Sequence, residues 1–209
     1  MASPAVPSYW RQACGELSRS DTVMRRLISE YPDARFGSRG SAFETLLRAI
    51  VGQQISVKAA ESVWNRFAAK ALTISPERVL AMRAQTLRAC GLSSQKVTYI
   101  RDLAAHFSSG RLRPRGFHSK TDEELLEILC DVRGIGKWTA EMFLIFHLNR
   151  PDVYPIQDIG LIRAVEKNYR GGTQISKPEL ISFGDRWRPW RTVATWYLWR
   201  SLDPFPVEY

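Results

Sequence analysis

Residues Val132-Arg133-Gly134-Ile135-Gly136-Lys137-Trp138-Thr139-Ala140 set two glycines, a lysine and a tryptophan at the start of an apolar helical pattern. Glycine permits positive φ and close approach of another backbone. A helix starting at about Lys137 adds unpaired N–H groups and the positive end of its dipole. The stretch reads either as a phosphate cradle or as a tight turn between two helices. Lys137 is then either an amine reagent or a positive charge. Further on, Asp158 heads another apolar pattern, Ile159 to Tyr169. A carboxylate there suits an N-cap.

The elements that must position these groups are helical. Phe43, Leu46, Leu47, Ile50 and Val51 recur at three- and four-residue steps, break at Gly52-Gln53-Gln54, and resume with Ile55, Ala59, Ala60, Val63, Trp64 and Phe67. Ser56 is expected to cap the second of these helices. Ser75-Pro76-Glu77 predicts a short helix to about Met82, and Gly91 closes the next. From Ser94, the positions Val97, Ile100, Leu103, Ala104 and Phe107 predict a helix that Ser108-Ser109-Gly110 stops. Residues 110 to 120 read as a basic loop. Thr121-Asp122-Glu123-Glu124 and Ser176-Lys177-Pro178-Glu179 are capping boxes, the first opening a helix that runs into the glycine turn. Strand-like alternation and internal repeats are missing from the sequence, so the fold class is all-α.

The 209 residues suffice for one large domain or two small lobes. Thirty Lys and Arg against 21 Asp and Glu give a net charge of +9, which favours a polyanion such as nucleic acid or an anionic membrane surface. Arginine beside aromatics in Arg186-Trp187-Arg188-Pro189-Trp190-Arg191 points the same way. The cysteines Cys14, Cys90 and Cys130 are too few and too scattered for a disulfide framework or a four-cysteine cluster. His106, His118 and His147 lack ligand spacing, so no catalytic metal is expected. The first residues lack a secretory pattern and no apolar run is of membrane-spanning length, which leads to an expectation of a cytoplasmic, chromosome-associated protein, nuclear in a eukaryote.

Leu129, Val132, Gly134-Ile135-Gly136 and Thr139-Ala140, followed by Val153-Tyr154-Pro155-Ile156-Gln157-Asp158, resemble the helix-hairpin-helix DNA glycosylases, whose signature adds a Gly/Pro-rich loop and an aspartate. The branch most similar is 3-methyladenine DNA glycosylase II. Leu47 to Ser56 and Arg186 to Arg191 extend the resemblance over about residues 40 to 205. It implies one glycosylase unit over 1–209 with two lobes, approximately 41–147 and 1–40 plus 148–209, without the extra N-terminal β-rich domain of larger members.

The resemblance implies a role for each residue. Asp158 is the catalytic aspartate. Trp138 holds the place of the lysine nucleophile in members that also cut the strand, which leaves Lys137 to meet phosphate and implies a monofunctional enzyme. Trp138 and Trp199 line a base pocket that attracts purines charged by methylation, with core packing as the alternative for either. Met142 stands where that branch often has tyrosine. Gln54 or Gln53 fills the gap left by a flipped base, or else the pair bridges helix ends. Backbone N–H groups around Gly134, Gly136 and Thr139, with Lys137, bind phosphate, and the carbonyls of Val132 and Ile135 are candidates for a bound Na⁺ or K⁺. Lys96 and Arg133 are secondary phosphate candidates, otherwise solvated surface. The iron–sulfur loop of a sister branch is lacking, and no cofactor is expected. The implied partner is duplex DNA with damaged bases, bound by a monomer. Two other readings stand beside this: a glycosylase for deaminated or oxidised bases, and a non-catalytic helix-hairpin-helix module.

Overall fold

The computed structural model describes residues 6–32 and 40–203, which fold as helices with no strand among them. In chain order these are α1 Trp10–Ser20, α2 Thr22–Glu30, α3 Ala42–Gly52, α4 Val57–Ala71, α5 Pro76–Ala81, α6 Ala84–Ala89, α7 Ser94–Ser108, α8 Asp122–Cys130, α9 Lys137–Phe146, α10 Ile159–Tyr169, α11 Lys177–Gly184 and α12 Arg191–Leu202. They form two compact units, one within residues 38–143 and one within residues 1–37 and 144–208. No helix among the described residues is long and apolar enough to cross a membrane.

In the 38–143 unit, local sequence sets the helix starts. Ser41, Ser56, Ser75, Ser93 and Thr121 each accept a backbone N–H two or three residues into the helix they precede, and Thr121 with Glu124 completes a reciprocal capping box. Helix α7 is the spine, packed against α3, α5 and α6. Its Val97, Ile100, Leu103 and Ala104 are buried, together with Leu46, Leu47, Ile50 and Phe67 of the two preceding long helices. Each large side chain sealed this way stabilises the unit by about 1.5–3 kcal/mol. The expected basic loop at 110 to 120 is structured instead: Pro114–Ser119 form a 3-10 helix. Leu112 and Phe117 are buried, and the Phe117 ring meets Phe143 edge-on at 5.9 Å, so two apolar anchors pull the polar run onto the core.

The second unit joins α1, α2, α10 and α12. Asp21 caps α2 through Oδ1, while its Oδ2 accepts the Tyr169 hydroxyl at 2.9 Å and the indole N–H of Trp187 at 3.1 Å. Trp187 is fully buried. Within the arginine-aromatic run Trp187 is the buried centre, while Arg186 and Arg188 remain exposed. Arg188 and Arg191 pair with Asp152, at 3.0 and 2.7 Å, Arg186 lies over the Phe183 ring, and the Trp190 indole donates to Glu16. Trp10, Trp64, Trp187 and Trp196 are core residues, which leaves Trp138, Trp190 and Trp199 partly open to solvent.

Candidate active site

The glycine turn leaves α8 and enters α9 with different demands on its two glycines. Gly134 has φ +86°, and a Cβ there would run into the Tyr99 ring of α7. Gly136 does not use the left-handed region that glycine permits, and a Cβ on it would meet open space. The first glycine makes the turn, and the second leaves a clear approach to the helix end. Ala140 N–H donates to the Gly136 carbonyl at 3.0 Å as the helix begins. The N–H groups of residues 137 to 139 precede any intrahelical acceptor, which is the geometry that attracts an anion.

The side chains of that first turn divide by exposure. Lys137 is half exposed and lies 3.9 Å from the buried Glu141 carboxylate, one turn along the same helix. Trp138 is 37% exposed, whereas Thr139 and Met142 are buried. Val132 and Ile135 point their side chains into the core, and the Val132 carbonyl accepts the Ile135 N–H at 3.0 Å. Arg133 is exposed, with its backbone N–H held by Asp102 Oδ2 at 2.9 Å.

The two glutamines take separate roles. Gln53 donates its side-chain amide to the Gly134 carbonyl at 2.8 Å, which ties the end of α3 to the turn. Gln54 is exposed and has φ +59°, a left-handed conformation that costs energy in a residue with a Cβ. Lys96 was expected on the solvated surface, but its ammonium donates to the carbonyls of Val51 and Gln53, both at 2.7 Å. Both carbonyls lie at the C-terminal end of α3, where the helix dipole is negative.

In the other unit, Asp158 caps α10 by accepting the Leu161 N–H at 2.6 Å on Oδ1, and the same oxygen accepts the Trp199 indole N–H at 2.8 Å. Trp199 is itself stacked on Phe146, with ring centroids 6.0 Å apart and planes 16° from parallel. Gly160 makes room for this pairing: a Cβ there would lie 3.0 Å from Asp158 Oδ1 and 3.2 Å from the Trp199 ring. The carboxylate is thus fixed by two donors and a shaped gap, ready to face positive charge without reorganising. Gly160 and Phe146 had no place in the sequence reading. A glycine in the first turn of a helix, where no bend needs it, was the available signal.

The model for HhH-GPD superfamily base excision DNA repair proteins matches residues 47–189, which includes the turn, Asp158 and the first part of the arginine-aromatic run. The chain belongs to the HhH-GPD superfamily. Among curated relatives of this HhH-GPD protein, DNA-3-methyladenine glycosylase 1 of Schizosaccharomyces pombe is 33% identical over 84% of the chain and 79% of that protein. A solved structure of the S. pombe 3-methyladenine DNA glycosylase in complex with abasic DNA superposes with a TM-score of 0.77 at 31% identity, covering 94% of this chain and 100% of that one. DNA-3-methyladenine glycosidase from Bacillus halodurans gives a TM-score of 0.85 at 31% identity, covering 97% and 93%.

Proposed function

We propose that this HhH-GPD protein is a monofunctional DNA glycosylase of base excision repair that hydrolyses the N-glycosidic bond of alkylated purines, 3-methyladenine and 7-methylguanine, in duplex DNA. The observation that carries the reading is Asp158, whose Oδ1 is fixed between the Trp199 indole and the N-terminus of α10. The names of the curated relative and of the two similar structures support the substrate class. A purine methylated at N3 or N7 already carries positive charge, so it departs with the glycosidic electron pair and needs no acid. C1′ becomes cationic as that bond breaks, and a carboxylate held in place stabilises it until water adds and releases a proton.

The other residues fit this chemistry in proposed roles. Trp138 and Trp199 offer aromatic faces to a cationic base, and Met142 shapes the first of these. Gln54, exposed and left-handed, enters the gap left by the flipped base, while Gln53 is already committed to Gly134. Gly134, Gly136, Lys137 and Thr139 present the helix end to a phosphate. The Val132 carbonyl retains a second lone pair beside the Ile135 N–H it accepts, so with the Ile135 carbonyl it could ligate Na⁺ or K⁺. The reaction as drawn asks for no cofactor, and one copy of the chain carries every group it uses.

Trp138 cannot act as an amine, and Lys137 extends beside Glu141, one position away from the nucleophile's place. The proposed enzyme therefore leaves an abasic site with the strand intact. Incubation with methylated duplex should release methylated purines from wild type and not from Asp158→Asn, with no cut on a gel run without alkali. Binding without release would replace this reading with one of other damaged bases or of a non-catalytic module.

A further inference from the structure

Helix α7 presents one row of residues at three- and four-residue steps, Lys96, Tyr99, Asp102 and His106, and each is engaged with a loop that the proposed function sends to DNA. Lys96 holds the carbonyls of Val51 and Gln53, both at 2.7 Å. Tyr99 fills the space that Gly134 leaves, Asp102 accepts the Arg133 N–H, and His106 Nε2 meets Asp131 Oδ2 at 3.2 Å. The row joins two segments far apart in sequence, the end of α3 and the glycine turn. The Gln53 side chain closes the circuit by donating to the Gly134 carbonyl.

We infer that Lys96 is a positioning residue for base opening: by clamping Val51 and Gln53 it fixes the loop that presents Gln54, in register with the phosphate-binding turn. The inference rests on the proposed role of Gln54. An ammonium is needed because both acceptors are carbonyls at a helix C-terminus, where the dipole is negative, and one donor cannot serve two acceptors in different directions. Partial burial lowers the ammonium pKa through desolvation, which the two carbonyl bonds oppose. Gln54 is exposed with φ at +59°, and the neighbouring Gln53 is held at both its carbonyl and its side chain, so the strained residue follows a fixed one.

The test uses a duplex with a tetrahydrofuran abasic analogue next to 2-aminopurine, whose fluorescence rises when a side chain enters the stack, and needs no base chemistry. Wild type should raise the fluorescence and prefer this duplex to an undamaged one. Lys96→Met should lose the rise and at least tenfold of the preference, while its affinity for undamaged duplex stays within about twofold. Lys96→Arg, which keeps charge and two donors, should restore part of both. Should Lys96→Met not fold, Gln53→Leu carries the same prediction, because it cuts the tie to Gly134.

A full rise and preference in Lys96→Met, or in Gln53→Leu where that variant stands in, would overturn the inference, as would an equal loss of affinity for both duplexes, which marks a phosphate contact. No rise with wild type would overturn it too. A wild type that opens the abasic duplex but releases no methylated purine would leave the inference standing and remove the proposed substrate.

Discussion

Asp158 combines two functions that substitution can separate. Its Oδ1 caps α10 and accepts from Trp199, and both bonds need only an oxygen acceptor, whereas stabilising a cationic C1′ needs charge. Asparagine caps as well as aspartate does, so Asp158→Asn should melt within about 0.5 kcal/mol of wild type while base release falls by about 10²–10³-fold. Asp158→Ala should lose about 1 kcal/mol as well. Equal thermal stability of the two variants would show that the cap is idle. Gly160→Ala has the opposite signature. Replacing glycine in a helix gains up to about 1 kcal/mol, which offsets the tight contact with Asp158 and Trp199, so stability should hold while kcat falls about tenfold. Unchanged kcat would mean the gap above Asp158 is slack. The cap was legible from Asp158 and the apolar pattern after it, because capping is local. The Trp199 partnership spans 41 residues and depends on tertiary packing, which no spacing rule states.

At the scale of the element, the glycine turn separates folding from binding. Gly134 needs its positive φ and its missing side chain, since Tyr99 occupies the space, so Gly134→Ala should destabilise the fold by several kcal/mol. Gly136 meets nothing, so Gly136→Ala should melt like wild type yet bind duplex DNA more weakly, because its methyl stands where a phosphate must approach. A normal affinity for Gly136→Ala, measured by fluorescence anisotropy, would move the phosphate elsewhere. The sequence offered positive φ and close approach at both glycines alike, and only the structure distinguished the turn from the approach. Helix starts read well for a related reason: Ser56, Ser75 and Thr121 bond within their own first turn. Lys96 was misread because its acceptors, Val51 and Gln53, lie more than 40 residues away.

On the whole molecule, the net charge of +9 is unevenly available. Arg191 is committed to Asp152, whereas Lys137 is half exposed at the helix end. Lys137→Gln should lower the salt dependence of duplex binding by about 0.9 in the log–log slope, and Arg191→Gln should lower stability and leave the slope unchanged. If the slope follows Arg191 instead, the Arg191–Asp152 pair opens on DNA. Alkali probes the same unit differently. Tyr9, Tyr154, Tyr169 and Tyr197 belong to the unit within residues 1–37 and 144–208, and burial pushes each phenol above its ordinary pKa, with the Asp21 carboxylate adding to the effect at Tyr169. A pKa raised on folding contributes stability that is present below the unfolded value of about 10 and is lost as pH rises beyond it. Each tyrosine can then cost up to about 1.4 kcal/mol per pH unit above that point. Stability should be insensitive to these groups through neutral pH, then fall steeply, with tyrosinate absorbance and loss of helical circular dichroism rising together. Ionisation of all the tyrosines near pH 10 with the helices retained would show that these four rings are open to water and not packed against Trp10, Trp187, Trp190 and Trp196.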